Sequence, residues 1–138
     1  MLEYAASTTI AASPEAVWAI LMDTASYPEW DPYCERIEGT PALGAQIKAF
    51  TTLAPGRAFP VKVTELTPST IMRWRGGMPL GLFVGERVFE LAPSEEGVRF
   101  TVRERFTGPL LGLFRGSLPD MNEPFARFAA GLKARAES

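Results

Sequence analysis

A carboxylate on the apolar side of a predicted strand is the first candidate for a reactive group in this sequence. The segment GVRFTVRERFTG, residues 97–108, alternates apolar and polar residues with the period of two that a β-strand requires. Glu104 shares the apolar side of this alternation with Val98, Phe100, Val102 and Phe106. Because burying an unpaired carboxylate is unfavourable, we expect Glu104 to be paired, hydrated or protonated.

A partner for this carboxylate is found in the preceding segment. In LFVGERVFEL, residues 82–91, the same alternation places Arg87 on one face with Phe83, Phe89 and Leu91. The short connection APSEEG makes the two strands antiparallel neighbours, and counting back from it brings position 87 near position 104. We therefore predict an inward ion pair between Arg87 and Glu104.

Two roles for this pair stay open. A structural ion pair satisfies both charges and needs no reaction, and we favour it because buried pairs also perturb pKa values without function. In the alternative, Glu104 is a general acid or base, assisted by Arg87 or a tyrosine. In both cases Glu104 is a polar group in an apolar wall, where it could orient a hydroxyl or carbonyl of a ligand.

The residue types present exclude several other chemistries. The chain has no histidine and one cysteine, Cys34, so it lacks the Ser-His-Asp and Cys-His systems and the usual ligands of a zinc site. RGGMPLGLF contains glycines but leads into no helix, so we interpret it as a connection beside a cavity mouth rather than a phosphate loop, with a gating role as the alternative. We predict neither a metal nor a cofactor.

The three tryptophans could pack in a core or face a flat apolar ligand. Trp18 and Trp30 belong to short helical segments, and we assign both to the core. Trp74 shares a strand face with Met72 and is the best candidate of the three for a cavity wall.

Local sequence patterns predict the helices and strands that carry these residues. EYAASTTIAA has the composition of a first strand. Ser13, Pro14 and Glu15 form a helix start, the apolar spacing after them predicts a helix ending near Asp23, and TASYPEW predicts a second short helix. Six strands follow between Tyr33 and Thr107, and their short connections permit only antiparallel neighbours.

The end of the chain has helical periodicity. After Gly116 an apolar stripe recurs at intervals of three and four residues, with Ser117 as the expected cap. The stripe consists of Leu118, Met121, Phe125, Phe128 and Leu132. Pro124 lies within it, and we expect this proline to bend or break the helix.

These elements predict one α+β domain over residues 1–138 with a cavity. Seven antiparallel strands make a sheet ~34 Å wide, whereas a helix with its side chains is only ~10 to 12 Å wide. A sheet that curls around the final helix therefore leaves apolar space that the helix does not fill.

Several segments in this order resemble one superfamily. SPEAVWAIL, YPEWDP, GLFVGERVFELAP with GVRFTVRERFTG, and the final LKARAE are similar to START-related (SRPBCC) proteins of the polyketide cyclase/dehydrase and lipid transport type. The resemblance implies a helix-grip fold, a curved antiparallel sheet around a long C-terminal helix, with a hydrophobic ligand between them. Many relatives carry histidine where Arg87 stands here, so histidine-dependent chemistry is not expected.

The function predicted from the sequence is non-covalent binding of a small hydrophobic or amphipathic molecule, such as a lipid, an isoprenoid quinone or a polyketide-like compound. One alternative is a cyclase or dehydratase that uses Glu104, and another is a protein-interaction module with a closed cavity; we favour a binding protein over an enzyme. The predicted ligand-binding residues are Met72, Trp74, Phe83, Arg87, Phe89, Phe100, Val102, Glu104, Met121, Phe125 and Phe128.

The overall charge limits the classes of binding partner that we expect. A net charge of -2 gives no reason to expect nucleic acid or an anionic membrane surface, and no segment resembles a signal peptide or membrane anchor. We therefore predict a cytoplasmic protein without membrane insertion, and leave a homodimer open.

Overall fold

A seven-stranded antiparallel sheet forms most of the molecule, and the computed structural model describes all of residues 1–138. The strands are β1 (Leu2–Ile10), β2 (Cys34–Glu38), β3 (Gln46–Thr51), β4 (Ala58–Thr67), β5 (Ile71–Gly77), β6 (Val84–Ser94) and β7 (Gly97–Thr107). Their order across the sheet is β1-β7-β6-β5-β4-β3-β2. The predicted meander is confirmed, and β1 adds to its far edge, beside β7.

The helices separate or follow the strands. They are α1 (Pro14–Met22), a 3₁₀ helix (Thr24–Glu29), a second 3₁₀ helix (Pro79–Gly81), α2 (Leu111–Phe114), a third 3₁₀ helix (Arg115–Ser117) and α3 (Asn122–Glu137). The predicted start of α1 is confirmed, because the Ser13 hydroxyl accepts a hydrogen bond from the Ala16 amide at 3.1 Å. No helix is long and apolar enough to span a membrane.

The final helix starts later than predicted, and its proline explains why. A helix beginning at Ser117 would place Pro124 in its interior, where the ring clashes with the preceding turn and a hydrogen bond is lost. In the structure α3 begins at Asn122, so Pro124 lies in the first turn, where backbone N–H groups have no partner within the helix. Leu118 and Met121 precede the helix, and the expected bend within it is not required.

The curled sheet and α3 enclose one hydrophobic core. It contains 19 buried residues, drawn from the concave face of the sheet, from α1, from the first 3₁₀ helix and from α3. At its centre the Phe128 ring lies 4.8 to 6.0 Å, between centroids, from the rings of Tyr27, Trp30, Phe89 and Phe100. The α+β helix-grip architecture predicted from the sequence is therefore confirmed.

The C-terminal end of α3 is hydrogen-bonded to the end of β1 and to the residue that follows it. Lys133 Nζ donates to the Thr9 carbonyl at 2.7 Å, and Glu137 Oε2 accepts the Ala11 amide at 2.8 Å. The hydrogen bond from Ala11 lowers the pKa of Glu137. These bonds hold the helix against the edge strand at one end of the concave face.

Candidate functional site

Four polar or semi-polar side chains form a row across the concave face. In the sheet register Tyr4 of β1 is paired with Glu104 of β7, Glu104 with Arg87 of β6, and Arg87 with Trp74 of β5. The row crosses four neighbouring strands, and its members come from residues up to 100 positions apart in the numbering. It is called the polar row below.

The predicted ion pair lies in the middle of this row. Arg87 Nη2 donates to Glu104 Oε2 at 3.0 Å, and the two side chains are 27% and 14% exposed. The register inferred from the hairpin is therefore confirmed. Unlike the surface ion pairs, this one is largely desolvated yet still open to contact from one side.

The aromatic ring of Phe125 covers the guanidinium. Its centroid lies 5.0 Å from Arg87 Cζ, within the range of a cation–π contact. Phe125 belongs to the first turn of α3, so the helix begins directly over the pair. This contact places the ion pair at the boundary between the closed core and the start of α3.

Two N–H groups in the polar row lack an acceptor within the protein. Trp74 Nε1 and Arg87 Nε are both buried without a hydrogen-bond partner. Leaving a buried donor unpaired is unfavourable, by about 1 to 3 kcal/mol for such groups. Both atoms are inaccessible to solvent, so they are unsatisfied donors of the core rather than contacts open to a ligand.

Burial raises the pKa values of three groups around Arg87. Desolvation raises the pKa of Tyr27, of Asp31 and, to about 12, of Cys34, while the positive charge of Arg87 lowers each of them. Asp31 Oδ1 also accepts the Tyr33 amide at 3.0 Å, which lowers its pKa and partly offsets the burial. Arg87 is thus the cation that these three groups share.

Beyond Arg87 the concave face loses its side chains and is covered by aromatic rings. Gly85 is paired with Gly76 across β5 and β6, and a Cβ at Gly85 would lie 3.2 Å from the Phe106 ring. The Phe106 centroid lies 5.9 Å from that of Phe83, which lies 5.3 Å from that of Phe114. All three phenylalanines are half-buried, so this aromatic group forms an apolar surface that solvent still reaches.

The predicted ligand-binding residues divide into two sets. The first set is buried in the core and consists of Met72, Trp74, Phe89, Phe100, Val102, Phe125 and Phe128. The second set is only partly buried and consists of Phe83, Arg87, Glu104 and Met121. Trp18 and Trp30 pack in the core as expected, each 8% exposed.

Two clefts on the surface lie outside the predicted set. One, of about 310 Å³, is lined by Tyr33, Leu53, Asp120, Asn122, Glu123 and Pro124. The other cleft, of about 360 Å³, lies on the outer face of the sheet.

Sequence reasoning missed several members of the site. Tyr4 joins the polar row only because β1 pairs with β7, and nothing local in the sequence indicates that long-range register. Phe114 lies in α2, a four-residue helix too short to produce a periodic pattern. No group of three or more His, Cys, Asp or Glu side chains is placed to hold a metal ion.

Comparisons with known proteins agree with the fold. A solution structure of the Aha1 dimer from Colwellia psychrerythraea is 24% identical and covers 99% of this chain and 97% of that chain, with a TM-score of 0.74. A protein from Thermus thermophilus is 23% identical over 98% of this chain and 97% of that chain, with a TM-score of 0.68. A hypothetical protein from Helicobacter pylori is 16% identical over 98% and 88%, with a TM-score of 0.76.

These identities show a common fold and no more. No curated protein matches the sequence. The family described as "Polyketide cyclase / dehydrase and lipid transport" does match it, over residues 1–137. The resemblance seen in the sequence is confirmed by this match, and the chain belongs to the polyketide cyclase/dehydrase and lipid transport family.

Proposed function

We propose that the protein binds a small, mainly apolar molecule at the end of the concave face where α3 begins. The bound molecule would carry one oxygen-bearing polar group, as a quinone, an amphipathic lipid or a polyketide-like compound does. The observation that carries this proposal is the Arg87–Glu104 ion pair, which is inward, largely buried and still 27% and 14% exposed. A polar pair of this kind can orient one group of a ligand within an apolar wall.

The surroundings of the pair support an apolar body for the ligand. Phe83, Phe106 and Met121 are half-buried, so part of each apolar surface remains exposed. Covering such surface is favourable by roughly 25 cal/mol per Å² before the ordering of the ligand is subtracted. The buried residues of the predicted set, such as Phe89 and Phe128, would form the floor beneath the ligand rather than its first contacts.

The partly exposed guanidinium of Arg87 supports an oxygen acceptor as the polar group. The Arg87 side chain is 27% exposed and directs only one nitrogen, Nη2, at Glu104. A carbonyl oxygen could accept from the guanidinium, whereas an ammonium group could not. We therefore expect ketones and quinones to bind more tightly than hydrocarbons of the same size.

Catalysis is the second candidate. A cyclase would need Glu104 to transfer a proton, but the only carboxylate in the polar row is held by Arg87 at 3.0 Å. A closed interaction module is the third candidate, because most of the predicted wall is packed. Dye binding that occurs only after unfolding would favour the closed module over a ligand site.

Assembly and location are proposed from two separate observations. The Colwellia protein of similar fold is described as a dimer, which makes a homodimer worth testing by light scattering. A cytoplasmic location is proposed because the single cysteine, Cys34, gives the chain no internal disulfide.

The proposed ligand site is tested with Nile red, a neutral apolar dye, displaced by decylubiquinone. We expect saturable binding by the folded protein, with the affinity for decylubiquinone about tenfold lower in Arg87→Met and in the double variant Arg87→Met with Glu104→Gln. The double variant leaves no unpaired charge, so its loss of affinity is separate from misfolding.

A matched control exists on the opposite face of the same two strands. Arg103 Nη1 and Glu90 Oε1 lie 3.4 Å apart on the convex side, and Arg103→Met with Glu90→Gln should leave the affinity for decylubiquinone unchanged. Dye binding only after unfolding would overturn the proposal. Strong coupling of Arg87 and Glu104 in urea unfolding, with unchanged affinity, would identify a purely structural pair.

A further inference from the structure

Two cations face each other on the convex side of the sheet. Lys62 of β4 is paired in register with Arg75 of β5, and both side chains point away from the core because Val63 and Trp74 point into it. Like charges directly opposite each other on neighbouring strands destabilise a sheet. Solvent weakens this repulsion, because both side chains are exposed, and an anion bound between them would remove it.

Some cations on this face have a carboxylate within ion-pair distance, and others, Lys62 and Arg75 among them, do not. Arg73 lies 3.1 Å from Glu65 and 3.6 Å from Glu86, whereas Lys62 and Arg75 form no ion pair. Glu86 is the register neighbour of Arg75 on β6, yet it is Arg73 that it pairs with. Lys62 and Arg75 therefore have no carboxylate within ion-pair distance.

The two cations line a cleft rather than a flat surface. The cleft has a volume of about 360 Å³, within the range of small-molecule sites, and Gln46 lies beside Lys62 in the neighbouring strand. Gln46 adds a further hydrogen-bond donor. This part of the wall matches an anion with several oxygens.

The other wall of the cleft is apolar. It includes Met78, Leu80 and Val84, from the connection between β5 and β6 and the start of β6. Leu80 is 95% exposed and adopts a positive φ of 62°, a conformation that is unfavourable for leucine. An apolar side chain held in this way beside two cations gives the cleft two chemically different halves.

We propose that this outer cleft binds a small phosphate monoester with an apolar substituent. The phosphate lies between Lys62 and Arg75, where its two negative charges match two cations better than a carboxylate would, and the substituent lies against Met78 and Leu80. The site is on the other face of the sheet from the polar row, and none of the four residues of that row lines it. It therefore stands or fails independently of the proposed ligand site.

Isothermal titration calorimetry with hexyl phosphate tests the proposal, with inorganic phosphate and hexanol as partial ligands. We expect hexyl phosphate to bind with one site per chain, inorganic phosphate to bind about tenfold more weakly, and hexanol not to bind measurably. Lys62→Gln with Arg75→Gln should lower the affinity for hexyl phosphate by about a hundredfold, about tenfold for each cation removed. Leu80→Ser should lower the affinity for hexyl phosphate but leave the affinity for inorganic phosphate unchanged.

Arg99→Gln is the matched control, because Arg99 is an exposed arginine of β7 that forms no ion pair and does not line the cleft. It should leave binding unchanged, and urea unfolding should show every variant folded. Equal affinities for hexyl phosphate and inorganic phosphate, or unchanged binding in the double variant, would overturn the proposal. Binding to phosphatidic acid vesicles without binding to free hexyl phosphate would also overturn it, in favour of a membrane surface.

Discussion

Arg87 brings a positive charge into the apolar half of the molecule and finds one carboxylate there. That carboxylate, Glu104, satisfies one guanidinium nitrogen, the Phe125 ring covers the face of the group, and Nε stays unpaired. The positive charge of Arg87 also lowers the pKa values of Asp31 and Cys34. The chemistry of the site therefore depends on Arg87 more than on any other residue.

Replacing Asp31 should change how the stability of the protein depends on pH. Because burial raises its pKa in the folded protein, Asp31 favours the folded state most when it is protonated, below its ordinary value of 3.8. This contribution is lost as the pH rises from that value through the raised folded pKa. Asp31→Asn keeps an oxygen for the Tyr33 amide and removes the charge, so the variant should gain stability over the parent protein as the pH rises.

The measurement is urea unfolding of both proteins at about pH 4 and about pH 7. Asp120→Asn is the control, because Asp120 Oδ1 accepts the Asn122 amide in a similar local bond but is exposed. A constant difference between Asp31→Asn and the parent protein at both pH values would show that Asp31 has no raised pKa.

The part of the site that could be predicted from the sequence lies on two strands joined by a short connection. Arg87 and Glu104 belong to one hairpin with a short connection, so alternation and counting sufficed to place them opposite each other. Tyr4 and Asp31 could not be placed in this way. Tyr4 depends on the pairing of the first strand with the last, and Asp31 on the packing of an irregular segment against Arg87.

At the scale of elements, α3 is both a wall of the core and the boundary of the site. Its stripe was predicted from spacing, and Phe125, Phe128 and Leu132 are buried. Its start was not predicted, because apolar spacing continues through Leu118 and Met121 while the backbone turns differently there. Pro124 indicates the true start of α3, because a proline fits the first turn of a helix better than its interior.

Phe128 gives the prediction for this element. It is 4% exposed and contacts four aromatic rings, so Phe128→Ala should lower the free energy of unfolding by about 3 to 5 kcal/mol, measured with urea. Leu113→Ala in α2 is the control, because Leu113 is 73% exposed and should change stability by less than about 0.5 kcal/mol. If both variants lowered the free energy of unfolding by less than about 0.5 kcal/mol, α3 would not pack on the sheet as described.

At the scale of the molecule, the sheet separates two kinds of surface. Its concave face is apolar except for the polar row, and its convex face carries ion pairs such as Arg103 with Glu90. The helix α3 closes the concave face at its C-terminal end through Lys133 and Glu137, while its first turn lies over Arg87. The proposed ligand site is thus at the opposite end of the helix from its fastening.

Because the two proposed sites lie on opposite faces of the sheet, we expect them to bind their ligands independently. A backbone layer divides the polar row from the cleft of Lys62 and Arg75, and no residue lines both. Coupling between binding sites is reciprocal, so it can be measured from either side. We expect saturating hexyl phosphate to change the affinity for Nile red by less than about twofold, and decylubiquinone to change the affinity for hexyl phosphate equally little. Arg87→Met should lower only the affinity for decylubiquinone. Lys62→Gln with Arg75→Gln should lower only the affinity for hexyl phosphate, and both affinities are measured by titration. A tenfold effect of one ligand on the other would mean that the sheet moves between two arrangements, or that both ligands occupy one site.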